Sequence, residues 1–198
     1  NDVVVKYNSK ISYNTKNQVI ATEDNFTLLS SGARYKDGFA YQLNTNRSNV
    51  VTEFLENPTP FAGQGVDADL SLATINIFLD ARSTTDDNRQ TVTYRIKNTF
   101  KQPVDHTIFS VAPYNPFVIV HDNLGNPRTE VHLVNYKPTD KADTSLFHYG
   151  KDLSIPNQGI YYVAAENYPF AIHLIDAEKY STTEMKSIDI TFPNFTKW

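Results

Sequence analysis

Alternation of apolar with polar or small residues is the feature that most limits what this chain can fold into. It is clearest in residues 70–79, where successive side chains would point to opposite faces of a strand. The face formed by residues 71, 73, 75, 77 and 79 stays apolar toward the end of that run, which predicts burial there, as in a central strand. Residues 91–96 alternate in the same way, and we expect Val92, Tyr94 and Ile96 to face inward.

Other short strand patterns recur along the chain, separated by residues that favour turns. Residues 3–7 and 11–13, broken at 8–10, are predicted to form a hairpin with 19–20 around a turn at 14–17. Short helical turns at 181–185 and after Pro193 are the only helical signals. Strands of this length and spacing predict an all-β fold, an antiparallel β-sandwich of the jelly-roll kind.

Residues 137–158 break the alternation with a long run rich in Pro, Thr, Asp and Asn. A loop of that length inside a domain is usually functional or packed by its own side chains. No repeat or Gly/Ser-rich linker divides the sequence. We therefore expect residues 1–198 to form one β-sandwich domain with one long irregular loop.

Charge and composition exclude several classes of function. The 198 residues carry 18 basic and 22 acidic side chains, so no basic surface for nucleic acid is expected. No apolar run approaches the roughly 18–20 residues of a membrane-spanning helix. The absence of cysteine excludes disulfides and thiol catalysis, and no known catalytic motif is present. We expect a protein that is not an enzyme.

Acidic residues at predicted strand ends are candidates for a calcium site. Asp2 opens the first strand, Asp37 precedes another, and Asp80 closes the strand at 70–79. Calcium takes several oxygen ligands from such side chains. Strand-end acids can equally be simple turn formers, so both interpretations stay open.

Two other groupings could carry chemistry. A pair among Asp67, Asp69, Asp140 and Asp143 could serve a carbohydrate-active enzyme, which needs two carboxyl groups converging in a cleft, and Asp67 and Asp69 would meet that spacing on one strand face. Glu130 and His132 would share one strand face, which could bind a metal ion. An exposed strand face without a ligand is the simpler interpretation of that second pair.

Aromatic content is high, with 12 Tyr and 12 Phe. Most of these residues alternate within strands, and Phe39, Tyr94 and Phe117 are expected in the core. Exposed aromatic rings can instead stack on sugars or contact a protein partner. The candidates for ligand binding are Asp140, Asp143, Tyr114 and Tyr161.

Three later stretches resemble a known family. They are residues 113–119, residues 130–147 (Glu-Val-His-Leu-Val-Asn-Tyr-Lys-Pro-Thr-Asp-Lys-Ala-Asp-Thr-Ser-Leu-Phe) and residues 167–172. Their order resembles the LruC domain family, a domain of unknown function in exported and lipid-anchored proteins of Gram-negative bacteria. The segments at 37–43 and 77–80 also fall where that family has similar motifs, as do residues 1–5, which resemble the end of its acidic opening motif.

The resemblance implies an exported protein at the outer-membrane surface or in the periplasm, with a lipid anchor upstream. Because the chain opens in a strand pattern without Met, we expect a fragment of a longer protein. The family implies no established reaction. We therefore expect a surface module for adhesion or ligand binding, whose partner is a protein or a glycan. The alternatives are a carbohydrate-active enzyme and a structural spacer.

Overall fold

The computed structural model describes residues 3–32, 35–58, 60–84, 91–165, 168–174 and 188–193. Strands dominate this part of the chain, and its two helices, α1 (Ala81–Thr84) and α2 (Ile188–Thr191), are single turns. The strands are β1 (Val4–Tyr13), β2 (Gln18–Ser30), β3 (Gly38–Asn46), β4 (Val50–Glu56), β5 (Gly65–Val66), β6 (Leu72–Phe78), β7 (Val92–Asp105), β8 (Asn115–Ile119) and β9 (Glu130–His132).

The strands form two antiparallel sheets. Sheet A has the order β1-β2-β7-β4, and sheet B has the order β5-β6-β3-β8-β9. Hydrophobic side chains from both sheets share one core. The prediction of an all-β sandwich is therefore confirmed, and residues 137–158 contain only two short 3-10 turns and isolated bridges.

Aromatic rings fill the space between the sheets. Phe26 on β2 stacks on Tyr41 of β3, with ring centroids 5.0 Å apart. Phe78 on β6 lies 5.7 Å from Tyr94 on β7. Strand β6 is buried from residue 73 to residue 78, as its apolar pattern predicts. One of its faces meets sheet A, so the other must be covered by a different part of the chain.

Two details of the predicted strands are wrong. Strand β1 continues through residues 8–10, because each of these residues pairs with β2 across the sheet. Strand β7 is also longer than the strand predicted at 91–96. It continues through Pro103 to Asp105, beyond the last residue that pairs with β4. The turn at 14–17 is confirmed, and the Asn14 side chain accepts hydrogen bonds from the backbone amides of Lys16 and Gln18. The predicted helical turns at 181–185 and after Pro193 lie outside the described residues.

The outward face of sheet A carries a row of alternating charges. The register places Lys10 beside Glu23, Glu23 beside Lys97, and Lys97 beside Glu53, one residue from each strand. Opposite charges on neighbouring strands stabilise the pairing, and charged side chains discourage association through an exposed sheet. The outward face of sheet A is therefore suited to contact with solvent.

A layer of polar side chains lies inside the core, centred on Asp24 of β2. The Asp24 carboxylate accepts hydrogen bonds from Tyr114 Oη at 2.8 Å, Thr22 Oγ1 at 2.8 Å and Asn98 Nδ2 at 3.3 Å. Asn98 also donates to Tyr41 Oη at 2.8 Å. Burial raises the pKa of Asp24, and these hydrogen bonds oppose the rise. The layer thus ties sheet A to sheet B through a carboxyl group held in a dry environment.

Replacing Tyr114 by Phe should destabilise the protein by about 1–3 kcal/mol, because it leaves one Asp24 oxygen buried without its donor. Urea unfolding measures the change. The matched control is Tyr7→Phe, which removes an exposed hydroxyl hydrogen-bonded to His173 and should cost less than about 0.5 kcal/mol. Equal losses in the two variants would contradict the role given to Asp24.

Candidate functional site

The second face of sheet B is covered by the irregular chain that follows β9. A small apolar cluster of Ala40, Phe117 and Ile119 lies on this face. Because β8 pairs with β9, Phe117 lies opposite His132, and Ile119 lies opposite Glu130. The sequence thus places a carboxylate and an imidazole on a sheet face that the following loop buries.

Glu130 is the centre of a buried group of charges. Its carboxylate accepts hydrogen bonds from Arg128 Nε at 2.6 Å and from the hydroxyl and amide of Thr139 at 2.5 and 2.9 Å. It also contacts His132 Nε2 at 2.9 Å. A charge this deep is stable only when it is paired and fully hydrogen-bonded, and here every contact is supplied by β9 or by the segments flanking it.

A second carboxylate comes from the opposite edge of sheet B, where β5 lies. Asp67, just after β5, lies 3.2 Å from Arg128 Nη1 and accepts from Lys141 Nζ at 2.8 and 3.0 Å. Lys141 also contacts Asp69, whose side chain is 77% exposed. We call Asp67, Arg128, Glu130, His132 and Lys141 the ion cluster.

The simpler sequence interpretation of Glu130 and His132, an exposed strand face, is wrong. Glu130 is 5% exposed and His132 is 0% exposed. The imidazole stacks between the rings of Phe117 and Tyr162, at 4.4 and 5.0 Å between centroids. The alternation of β9 signalled one common face, but nothing in it signalled that residues far along the chain would bury that face.

The pKa values of the cluster follow from burial and charge. Burial alone would raise the pKa of Glu130, but hydrogen bonds from His132 and Thr139 and the Arg128 guanidinium lower it to about 2. Burial lowers the pKa of His132, against the effect of Glu130. Glu130 therefore stays ionised at neutral and mildly acidic pH. This suits a structural charge, because a group that transfers protons works best with a pKa near the operating pH.

The ion cluster fastens the loop to the sheet. The backbone amide of Arg128 donates to the Lys141 carbonyl at 2.8 Å, and the amide of Asp143 donates to the Arg128 carbonyl at 2.8 Å. Together with the contacts of Thr139 and Lys141, these bonds hold residues 139–143 against β9. The residues after Asp143 therefore start from a fixed position beside β9.

A pocket of about 270 Å³ opens beside this fastened segment. Apolar groups make up most of its surface, and four of its lining residues are aromatic. We call it the loop pocket, and the residues that define it are Glu130, Asp143, Phe147, Tyr149, Tyr162 and Phe170. Phe147 contacts the ring of Tyr162 edge-on at 5.5 Å, which connects the wall to the stacked His132.

Tyr162 is the most unusual residue of the wall. Its φ of 58° lies in the left-handed region, which bulky side chains rarely adopt. Its buried hydroxyl has no hydrogen-bond partner among the described residues, and burial raises its pKa. Strained backbone and unpaired polar groups concentrate at functional sites, which makes the loop pocket the leading candidate here.

The four predicted ligand-binding residues do not form one site. Asp143 lines the loop pocket, whereas Asp140 is exposed beside the ion cluster. Tyr161 contacts the ring of Phe147 at 5.9 Å. Tyr114 is 1% exposed and belongs to the core, where its hydroxyl bonds Asp24. Nothing in the sequence singled out Tyr149 or Lys151, because aromatic and basic residues in an irregular loop carry no periodic signal. Phe170 entered only through the family motif at 167–172 and not as a ligand-binding residue.

The acid pairs considered for an enzyme have different surroundings. Asp67 and Asp69 both contact the Lys141 ammonium instead of facing each other across the loop pocket. Asp143 accepts hydrogen bonds from the amide and hydroxyl of Ser145 and so begins a 3-10 turn. These contacts stabilise local structure, and the carbohydrate-active enzyme stays an alternative to the predicted non-enzymatic module.

The predicted calcium site is described only in part. The Asp37 carbonyl accepts from the amide of Ala81 at 2.9 Å, so Asp37 lies beside the end of β6 where Asp80 stands. Asp80 contacts Lys36 at 3.8 Å and the Arg82 amide at 3.0 Å. Asp2 lies outside the described residues, and the described part alone contains no cluster of three metal-binding side chains. Calcium stays a prediction, tested by melting with and without a chelator.

Comparison with known proteins adds one finding. A family model described as a domain of unknown function, DUF4842, matches residues 17–198. No curated protein and no solved structure matches the chain significantly. Within the described ranges, no helix is long and apolar enough to cross a membrane.

Proposed function

The chain belongs to the DUF4842 family, a domain of unknown function, and from that premise we propose that it is a non-enzymatic ligand-binding module acting in adhesion. The observation that carries the proposal is the loop pocket. It combines aromatic side chains with a wall that the ion cluster holds in place before any ligand arrives. A wall fixed in advance lowers the entropic cost of binding.

The position of the pocket also supports binding. It lies on the face of sheet B that points away from sheet A, and its aromatic side chains are partly open. Tyr149 is 76% exposed and Phe170 is 46% exposed. Exposed aromatic rings next to polar groups are typical of recognition surfaces, because such rings supply large contact area with little loss of side-chain freedom.

The finer family resemblance extends this proposal to a place in the cell. The motif order at 113–119, 130–147 and 167–172 resembles the LruC domain family. On that basis we propose an extracytoplasmic location in a Gram-negative bacterium, at the outer-membrane surface or in the periplasm, with a lipid anchor upstream. Membrane fractionation and protease accessibility of the whole gene product test this part separately.

Binding is tested with the protein immobilised against three panels: extracellular-matrix proteins, glycans and purified copies of the same chain. We expect a ligand in at least one panel. Its binding should weaken about tenfold when Phe170 is replaced by Ala, because a partly exposed ring of the pocket wall is lost. The control Tyr13→Ala removes a side chain that is 48% exposed on β1 and does not line the pocket, and it should leave binding unchanged.

Two results would contradict the proposal. One is the absence of binding in all three panels, and turnover in a panel of hydrolase substrates would then favour the carbohydrate-active enzyme. The other is a ligand whose affinity is the same for Phe170→Ala, Tyr13→Ala and the unmodified protein, since that ligand would bind elsewhere.

A further inference from the structure

We infer that the loop pocket binds a neutral saccharide, through one sugar ring placed against its aromatic wall. The inference rests on the proposed function and names the class of ligand for that same site. It depends on three properties of the wall: its exposed rings, its unused hydrogen-bonding groups and its balance of charge.

The exposed rings favour a ligand with an apolar face. Tyr149 and Phe170 both line the pocket, and both keep a large part of their side chains open to solvent. The C–H groups on one side of a pyranose ring are slightly positive and match the negative face of an aromatic ring. A sugar can therefore cover these rings, whereas most small polar metabolites cannot.

The unused polar groups favour hydroxyl groups on the ligand. One oxygen of Asp143 accepts from Ser145, but its other oxygen has no hydrogen bond within the described part of the chain. Lys151 also lines the pocket, and no ion pair of its ammonium is found among the described residues. One wall thus offers an acceptor and a donor, and a hydroxyl group can satisfy either.

The balance of charge excludes acidic sugars. Asp143 and Asp152 carry two negative charges at the pocket, against one positive charge on Lys151. The charge of Glu130 is already neutralised by Arg128. An anionic ligand would therefore meet net repulsion, and a neutral one would not.

The size of the pocket favours a single ring over an extended peptide. Its volume of about 270 Å³ is below the range of about 300–1,000 Å³ that is usual for drug-sized ligands. The remaining units of a longer glycan would lie in solvent beyond the exposed rim. A protein that reached this site would have to insert one side chain, and that alternative is an outcome of the test.

The test is a titration of the isotope-labelled protein, followed by NMR. The ligands are glucose, galactose, mannose and N-acetylglucosamine with their disaccharides, and glucuronic acid is titrated in parallel. We expect at least one neutral sugar to bind with a Kd of about 1 mM or tighter, and glucuronic acid to bind at least about tenfold more weakly. Shifted amides should cluster at residues 142–152 and around Phe170.

Variants of the wall decide whether binding occurs in the pocket. Tyr149→Ala should weaken the sugar about tenfold, and Asp143→Asn should weaken it less, because the amide keeps an oxygen for Ser145. Tyr13→Ala is the matched control and should change nothing. An unchanged affinity in Tyr149→Ala, or a preference for glucuronic acid, would overturn the inference.

Failure of the inference can be told apart from failure of the proposed function. If no neutral sugar binds, but a protein from the first panel binds and loses affinity in Phe170→Ala, the pocket is a binding site and the saccharide is the wrong class. If nothing binds in any panel or titration, both proposals fail together.

Discussion

Replacing Glu130 by Ala should destabilise the protein by about 3–5 kcal/mol, the largest effect we expect from any single change in the ion cluster. The substitution removes the acceptor of Arg128 and His132 and of both donors of Thr139. Arg128 is 1% exposed and keeps its contact with Asp67 and its position over the Phe117 ring, 5.3 Å from the ring centroid. Its positive charge is then undercompensated away from water, which costs more than a lost contact at the surface. Urea unfolding at neutral pH measures the change.

Two further variants make this result specific. Glu53→Ala removes an exposed glutamate from β4 and should change the unfolding free energy by less than about 0.5 kcal/mol. The double variant Arg128→Met, Glu130→Leu should lose clearly less than the sum of its two single variants, because it leaves no unpaired charge of that pair. Additive losses would show that Arg128 and Glu130 act independently and that the cluster is not one unit. If Glu130→Ala does not fold, Glu130→Gln replaces it in the comparison with Glu53→Ala.

Acidification should weaken the fold through the same carboxylate by about 3 kcal/mol. The pKa of Glu130 is about 2 in the folded protein, against an ordinary value of 4.5. A group whose pKa is lowered by folding stabilises the protein fully above its unfolded pKa, and that stabilisation is lost as the pH falls from 4.5 toward 2. The gap between these two values corresponds to about 3 kcal/mol. His132 acts in the same direction from about pH 6.5 downward, because burial lowers its pKa.

Asp24 opposes this trend, because burial raises its pKa and protonation therefore favours the folded state. Asp24→Asn removes that contribution, so as the pH falls toward 3.8, the ordinary value of this carboxyl group, stability should fall more steeply in this variant than in the unmodified protein. The pKa of Glu130 is measured directly from the carbon-13 shift of its carboxyl group in an acid titration. Titration near 4.5 would contradict the prediction.

The sequence predicted those parts of the fold that depend on neighbouring residues. The alternation at 70–79 predicted a central strand with a buried apolar face, and the turn at 14–17 followed from its residue types. Strand breaks were predicted less well. Residues 8–10 look polar and broken, yet they lie in an edge strand whose outward positions tolerate such side chains.

The candidate site was harder to predict, because it depends on residues that are distant in sequence. Asp67 and Lys141 are 74 positions apart, and only the folding of the loop over sheet B brings them together. Spacing could place Glu130 and His132 on one face of β9, but it could not show what would cover that face. The aromatic residues of the pocket wall are spread between residues 147 and 170. For these residues the sequence pattern does not distinguish a core position from a surface position.

The position of β1 at the edge of sheet A has a mechanical consequence. β1 pairs with β2 alone, and these antiparallel pairs run from Val4 to Tyr13. A pull on the chain ahead of Val4 is therefore borne first by the hydrogen bonds between β1 and β2. Stretching a single molecule from the N-terminal side would measure the force at which these pairs separate from the rest of sheet A.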